Sequence, residues 1–186
     1  MTNSKPWVDG LTYGQVLRRT AERCGASDAV VFRHAGCRMT WAEFDAEVDS
    51  VAKGLLALGF KKGDHFGVWS TNWPEWLLLQ FATARIGVVL VTINPAYRPT
   101  ELEYAIAQSE IRGLALIEGY RKSHFFEILQ EIYPELSQSI PGRTRGTKFP
   151  KLQWIIGMHA DDHTGALNWS QLIQAGKTVD DTQLEE

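Results

Sequence analysis

Residues 66–93 read FGVWSTNWPEWLLLQFATARIGVVLVTI, and the order of patterns in this stretch decides the fold. Phe66 to Ser70 is a short apolar run, which predicts a strand. Asn72 and Glu75 have capping-box spacing, with Pro74 in the first turn, and predict a helix start. That helix runs to about Arg85 and is apolar nearly all round: Trp76, Leu77, Leu78, Leu79, Phe81, Ala82, Ala84 and Ile86. A helix apolar on every side is expected to be buried. Gly87 stops it, and Val88 to Ile93 follows as a continuous β-branched run. Such a run suits a strand covered on both faces.

The pattern repeats toward the carboxyl terminus. Thr100 and Glu103 are spaced as a box for a helix through about Ser109. Gly113 to Ile117 is the next apolar strand, and Lys122 to Tyr133 is helical again, with Phe125, Phe126, Leu129, Ile132 and Tyr133 inward. Phe66 to Tyr133 therefore reads β-α-β-α-β-α, which implies an α/β fold: a parallel sheet with right-handed crossovers. Ser137 to Pro150 lacks periodicity and is expected to be a mobile loop. Leu152 to Met158 returns as a strand, His159 to Ala166 is a loop, and Asn168 to Ala175 is a short helix. Gly176 to Glu186 is polar and acidic, and no fixed structure is expected there.

Toward the amino terminus, Leu11 to Cys24 is a first helix with Thr12 and Gln15 as its box. Ala29 to Arg33 and Arg38 to Trp41 form a hairpin around Ala35-Gly36. A second helix starts at the Thr40–Glu43 box. Phe44, Val48, Val51, Ala52, Leu55 and Leu58 face inward; Glu43, Asp45, Glu47, Asp49 and Lys53 face water; Gly59 closes it. The expected organisation is residues 1–64 as helices and hairpin, 65–176 as the β-α-β portion, and 177–186 as a polar tail.

Composition excludes several classes. A net charge of -3 and a pI near 6.0 carry no basic stripe, so no nucleic acid partner is expected. Apolar runs fall short of the ~18 residues of a membrane span. The start has no signal-peptide layout, and the two cysteines, Cys24 and Cys37, lack metal spacing. Free thiols in a reducing compartment, the cytoplasm, are expected. Cys24 lies on the apolar face of its helix and reads as core; Cys37 sits in a turn with no evident base.

Few motifs of known chemistry are present. No G-x-G-x-x-G follows a strand, and no G-x-S-x-G elbow exists. Gly176-Lys177-Thr178 resembles a P-loop end, but Gln171 stands where glycine is needed. His159-Ala160-Asp161-Asp162-His163 has metal-ligand residue types, yet a polar turn closed by Gly165 explains it better. No catalytic and no metal residue is assigned.

One ordered series is specific. Thr40-Trp41-Ala42-Glu43 is followed by Gly59, Lys62-Gly63-Asp64 and Val68, then Pro74-Glu75, then Ala84-Arg85-Ile86-Gly87-Val88, Asn94-Pro95 and Glu101-Leu102. The series resembles the early part of adenylate-forming enzymes over about Leu11 to Leu172, most closely the fatty acyl-CoA synthetases of the family member 2 type. The resemblance implies a parent ligase using ATP and Mg2+, in which a fatty or other carboxylic acid becomes an acyl-adenylate and then passes to coenzyme A. It also implies a Ser/Thr/Gly-rich phosphate loop ending in P-K-G. Thr144-Arg145-Gly146-Thr147-Lys148 comes nearest and lacks its shape. The 186 residues are therefore expected to bind no cofactor of their own for adenylation, to be inactive alone, and to have the remainder of the ligase chain as partner.

By the same resemblance, Asn94, Pro95 and Ala96 border the coenzyme A route, and Arg121 lies near nucleotide phosphates. Both places fall just beyond strand carboxyl ends, where open α/β sheets bind ligands. Plain readings compete: a strand-ending turn at Asn94-Pro95 and a surface charge at Arg121. Asn72 and Trp73 could line an acyl tunnel, although a helix cap and a core aromatic suffice. The alternative for the whole chain is a stand-alone, non-catalytic binding module on the same scaffold.

Overall fold

The structure is a computed structural model that describes residues 10–142, 146–159 and 162–185. The chain begins with α1 (Tyr13–Cys24), β1 (Asp28–Phe32), β2 (Cys37–Thr40) and α2 (Trp41–Ala57). β3 (His65–Trp69), α3 (Pro74–Arg85), β4 (Val89–Ile93), α4 (Pro99–Ser109) and β5 (Gly113–Leu116) follow. Then come β6 (Gly119–Tyr120), β7 (Ser123–His124), α5 (Phe125–Ile132), β8 (Trp154–Gly157), β9 (Leu167–Asn168), α6 (Trp169–Gly176) and α7 (Asp181–Glu185).

Among the described residues the main sheet has five strands in the order β4-β3-β5-β8-β9, every pair parallel. β3 lies inside it, and Phe66, Val68 and Trp69 are fully buried. The chain steps to β4 on one side of β3, then crosses back so that β5 lies on the other. Two groups of helices cover the sheet: α1, α2, α3 and α6 pack together, and α4 packs on α5. β1 and β2 form a separate antiparallel hairpin, as do β6 and β7. Gly54 and Gly176 let α2 and α6 touch through their backbones. A Cβ on Gly54 would meet the Leu172 carbonyl at 2.7 Å, and one on Gly176 would meet the Gly54 nitrogen at 2.7 Å.

Local chemistry explains the boundaries. The Thr12–Gln15 and Thr40–Glu43 boxes both form and start α1 and α2. Gly59 follows α2 at φ 82, a left-handed position that glycine takes without steric cost. The boxes expected at Asn72 and Thr100 do not form. Trp73 is the N-cap of α3 and Arg98 that of α4, because Pro74 and Pro99 each occupy a first helical position. The Arg98 backbone N–H donates to Glu101 Oε2 at 2.8 Å instead.

Other expectations also change. β4 is an edge strand with Val89 and Thr92 exposed, not a strand covered on both faces. α5 starts at Phe125, because Ser123 and His124 pair back onto Gly119 and Tyr120. Cys24 is exposed rather than core. Asp45 and Asp49 do not face water freely; both carboxylates meet Arg85. The tail is not structureless: Asp181–Glu185 is helical, and Lys53 Nζ reaches Asp181 Oδ1 at 2.5 Å. Of the Ser137–Pro150 loop, residues 143–145 lie outside the described residues. Gly146 N–H donates to the Tyr133 hydroxyl at 2.8 Å, and Phe149 is buried.

Asp64 ties the entry of β3 to that of β5. Its carboxylate accepts from Arg112 Nη1 at 2.8 Å and from the Lys61 N–H at 2.9 Å. Burial pushes its pKa up, but the Arg112 and Lys61 hydrogen bonds and charges outweigh this and hold it below the ordinary value. A depressed carboxylate contributes stability above the unfolded value, near 4, and that stability is lost as pH falls through the folded value. Urea unfolding of Asp64→Asn is therefore expected to show a deficit at neutral pH that shrinks below about pH 4. A deficit constant with pH would contradict this.

Candidate functional site

An open cleft of about 840 Å³ lies at the carboxyl ends of β3 and β4, where the chain reverses its direction of travel across the sheet. Ser70, Thr71 and Asn72 enter it from the turn after β3, and Trp76 from the first turns of α3. Thr92 and Ile93 end β4, and Asn94, Pro95 and Ala96 continue the same wall. Tyr120 and Arg121 form the facing wall. The four residues singled out in the sequence thus share one cleft. Asn72 lines it too, rather than capping α3, whereas Trp73 does not.

Each wall is held by specific bonds. The Asn94 side chain accepts from the Ala96 N–H at 2.9 Å, an Asx turn that Pro95 stiffens. The Asn94 carbonyl accepts from the Tyr97 N–H at 3.0 Å and from the Trp69 indole N–H at 3.0 Å. On the other wall, β6 and β7 are joined by the two-residue loop Arg121-Lys122. Such tight hairpins require positive φ, and Arg121 takes φ 56. For a non-glycine residue that backbone costs about 1–2 kcal/mol. The Arg121 guanidinium stands 5.0 Å from the centre of the Tyr120 ring.

Among the described residues, Arg121 is the one charged residue lining the cleft; the other lining groups are hydroxyls, amides, Trp76, Tyr120 and aliphatic carbons. This suits an anionic ligand with polar and ring-bearing parts. Among the described residues no carboxylate lines the cleft, so the donors present do not fit a magnesium ion. Ser70 is 5% exposed and its Oγ donates to the Thr71 carbonyl at 2.8 Å, so this hydroxyl is not presented as a nucleophile. The site can bind and orient.

Other polar groups are used elsewhere. At the opposite end of the sheet a smaller cleft of about 370 Å³ carries Asp64–Arg112 and Glu110–Lys151, whose charges answer one another. The hydrogen bond and charge of Lys151 hold Glu110 below the usual carboxylate range. His159 Nε2 pairs with Glu75 at 2.8 Å, and His163 Nε2 with Glu118 at 2.7 Å. The two histidines diverge, and no group of three or more potential ligands converges on a metal position among the described residues. Ala160 and Asp161 lie outside the described residues, as do Thr144 and Arg145 of the nearest approach to a phosphate loop. Burial, then the Glu75 and Glu47 charges, push the Cys37 thiol up, which disfavours the thiolate.

Sequence reasoning missed Ser70, Thr71, Trp76, Thr92 and Tyr120. The strand-end rule applied to β3 would have found Ser70 and Thr71. Trp76 was expected in the core because its helix is apolar all round, yet it is only half-buried and edges the cleft.

The profile of the AMP-binding enzyme family matches residues 17–167. YngI of Bacillus subtilis (strain 168), provisionally described as an acyl-CoA synthetase, is 38% identical over 94% of this chain and 32% of its own length. The medium-chain acyl-CoA ligase ACSF2, mitochondrial, of Danio rerio is 35% identical over 94% of this chain and 29% of its own. This chain thus spans about a third of the length of these relatives. Among solved structures, the anthranilate CoA ligase AuaEII bound to anthranoyl-AMP superposes with a TM-score of 0.73 at 20% identity. That match covers 88% of this chain and 28% of AuaEII, and it establishes a shared fold. Among the described residues no helix is long and apolar enough to cross a membrane.

Proposed function

This chain belongs to the AMP-binding enzyme family, and on that premise we propose that it is the amino-terminal part of an ATP- and Mg2+-dependent acyl-CoA ligase. The parent converts a carboxylic acid of the fatty class to an acyl-adenylate and transfers the acyl group to coenzyme A. Residues 65–176 supply scaffold and one wall of the coenzyme A route, with Asn94, Pro95 and Ala96 bordering it and Arg121 meeting phosphate. The remainder of the ligase chain is the partner that completes the site, and the cytoplasm is the proposed compartment.

The observation that carries this reading is the meeting of 94–96 and 121 in one cleft whose one cation, among the described residues, is Arg121. A phosphate-bearing ligand would form charge-assisted hydrogen bonds to that guanidinium. Coenzyme A is expected to change the fluorescence of Trp76 saturably. Losing one charge-assisted bond costs about 1.5–3 kcal/mol, so Arg121→Gln should weaken binding by roughly tenfold or more. No saturable change in the native chain would overturn the coenzyme A assignment. The 186 residues hold no T-S/T-G-T-T-G-x-P-K-G run, and alone they are expected not to adenylate. ATP–pyrophosphate exchange with any fatty acid should stay at background.

A further inference from the structure

We propose that Trp69 is the positioning residue that sets the spacing between the two walls of the cleft. This rests on the coenzyme A reading for its functional consequence, but not for its structural content. Trp69 ends β3 and is completely buried. It does not line the cleft, yet it touches both sides of it. Its indole N–H donates to the Asn94 carbonyl at 3.0 Å, fixing the turn that carries Pro95 and Ala96. Its ring stacks on Phe125 with centroids 3.8 Å apart and planes 7° from parallel.

Phe125 anchors the other wall. It directly follows β7, and its N–H donates to the Glu118 carbonyl at 2.8 Å, closing the hairpin that presents Arg121. An indole is rigid, so a shift of its ring carries its N–H with it. One flat group therefore transmits position from the hairpin to the Asn94 turn. Arg98 Nη1 donates to Ser123 Oγ at 3.3 Å across the exposed rim and adds a weaker tie between the same walls.

The test changes the hairpin side alone. Phe125→Leu keeps an apolar group of similar size and leaves Trp69 and Asn94 in place. Native-state amide exchange is read residue by residue. Losing firm registration of one hydrogen bond should speed exchange at the Ala96 and Tyr97 amides by about fivefold to tenfold, while β3 and β5 stay protected. Trp69→Phe, which removes the N–H donor together with the rest of the pyrrole ring and keeps one ring that can still stack, should do the same at Tyr97. With the native 186 residues as reference, both variants should also weaken coenzyme A by about fivefold to tenfold.

Arg121→Gln should then cost less in the Trp69→Phe background than in the native one. If Phe125→Leu loosens only the hairpin amides, Trp69 does not couple the walls and the proposal is overturned. Fast exchange at Ala96 and Tyr97 with unaltered coenzyme A affinity overturns the functional half. Absence of coenzyme A binding by the native chain rejects the coenzyme A reading, and the amide result still decides the strut.

Discussion

Replacing Arg85 with methionine is expected to cost about 3–5 kcal/mol of stability, the range for breaking a buried ion pair from one side. Arg85 sits in the last turn of α3 with its side chain 7% exposed. Its guanidinium meets Asp45 Oδ1 at 2.5 Å, bonds Asp49 Oδ1, and donates to the Asp45 backbone carbonyl at 3.3 Å. Arg18 on α1 completes the cluster, reaching Asp49 at 3.2 Å and Asp45 at 3.6 Å. Two cations and two carboxylates thus join α1, α2 and α3. Methionine fills much of the space but leaves two poorly solvated carboxylates facing one half-exposed arginine. For a chain of this size the midpoint of thermal unfolding should fall by on the order of 10 °C. Adding Asp45→Asn to Arg85→Met should recover part of the loss, because one uncompensated charge goes with it. A loss under roughly 1 kcal/mol would mean that the cluster behaves as a solvated surface pair.

Gly119→Ala should open the hairpin that presents Arg121. A Cβ at position 119 would stand 2.1 Å from the Ser123 carbonyl oxygen and 3.2 Å from its carbon. Both are backbone atoms, so no side-chain rotation relieves the clash. The two-residue ladder between Gly119–Tyr120 and Ser123–His124 must separate. Overpacking of this kind costs about 1–3 kcal/mol. The functional effect follows from the same clash, since Arg121 then loses the left-handed turn that aims it. Coenzyme A binding should weaken at least as much as in Arg121→Gln, by roughly tenfold or more. Equal affinity for Gly119→Ala and the native chain would show that the hairpin does not position the cation.

How much of this was legible depends on whether the signal is local. The Thr12–Gln15 and Thr40–Glu43 boxes were readable, because each is a contact between residues three apart. Asn72 and Thr100 misled for an equally local reason. Pro74 and Pro99 fix the first helical position, so the cap falls on the residue before each proline. The parallel β-α-β order was visible in Phe66 to Tyr133; the place of β4 in the sheet was not. Val88 to Ile93 has the same apolar run whether the strand is central or at an edge, and edge status follows from strand order. Arg85 was read only as one letter of a family motif, because its partners lie 36 and 40 residues away.

The site follows the same division. Asn94, Pro95, Ala96 and Arg121 came from the resemblance and from the rule that strand ends bind ligands. That they meet depends on β4 and β5 lying on either side of β3, which no short window of sequence contains. Trp69 stayed hidden because a tryptophan in an apolar strand reads as core, and its indole partner is 25 residues away.

The most direct test is amide hydrogen exchange of the whole chain with and without coenzyme A. The expected result is slower exchange at 94–98 and 119–124, the two walls of the cleft, with the far end of the sheet unchanged. Protection confined to 63–65, 110–112 and 150–153, around the Asp64–Arg112 pair, or no protection at all, would contradict the account.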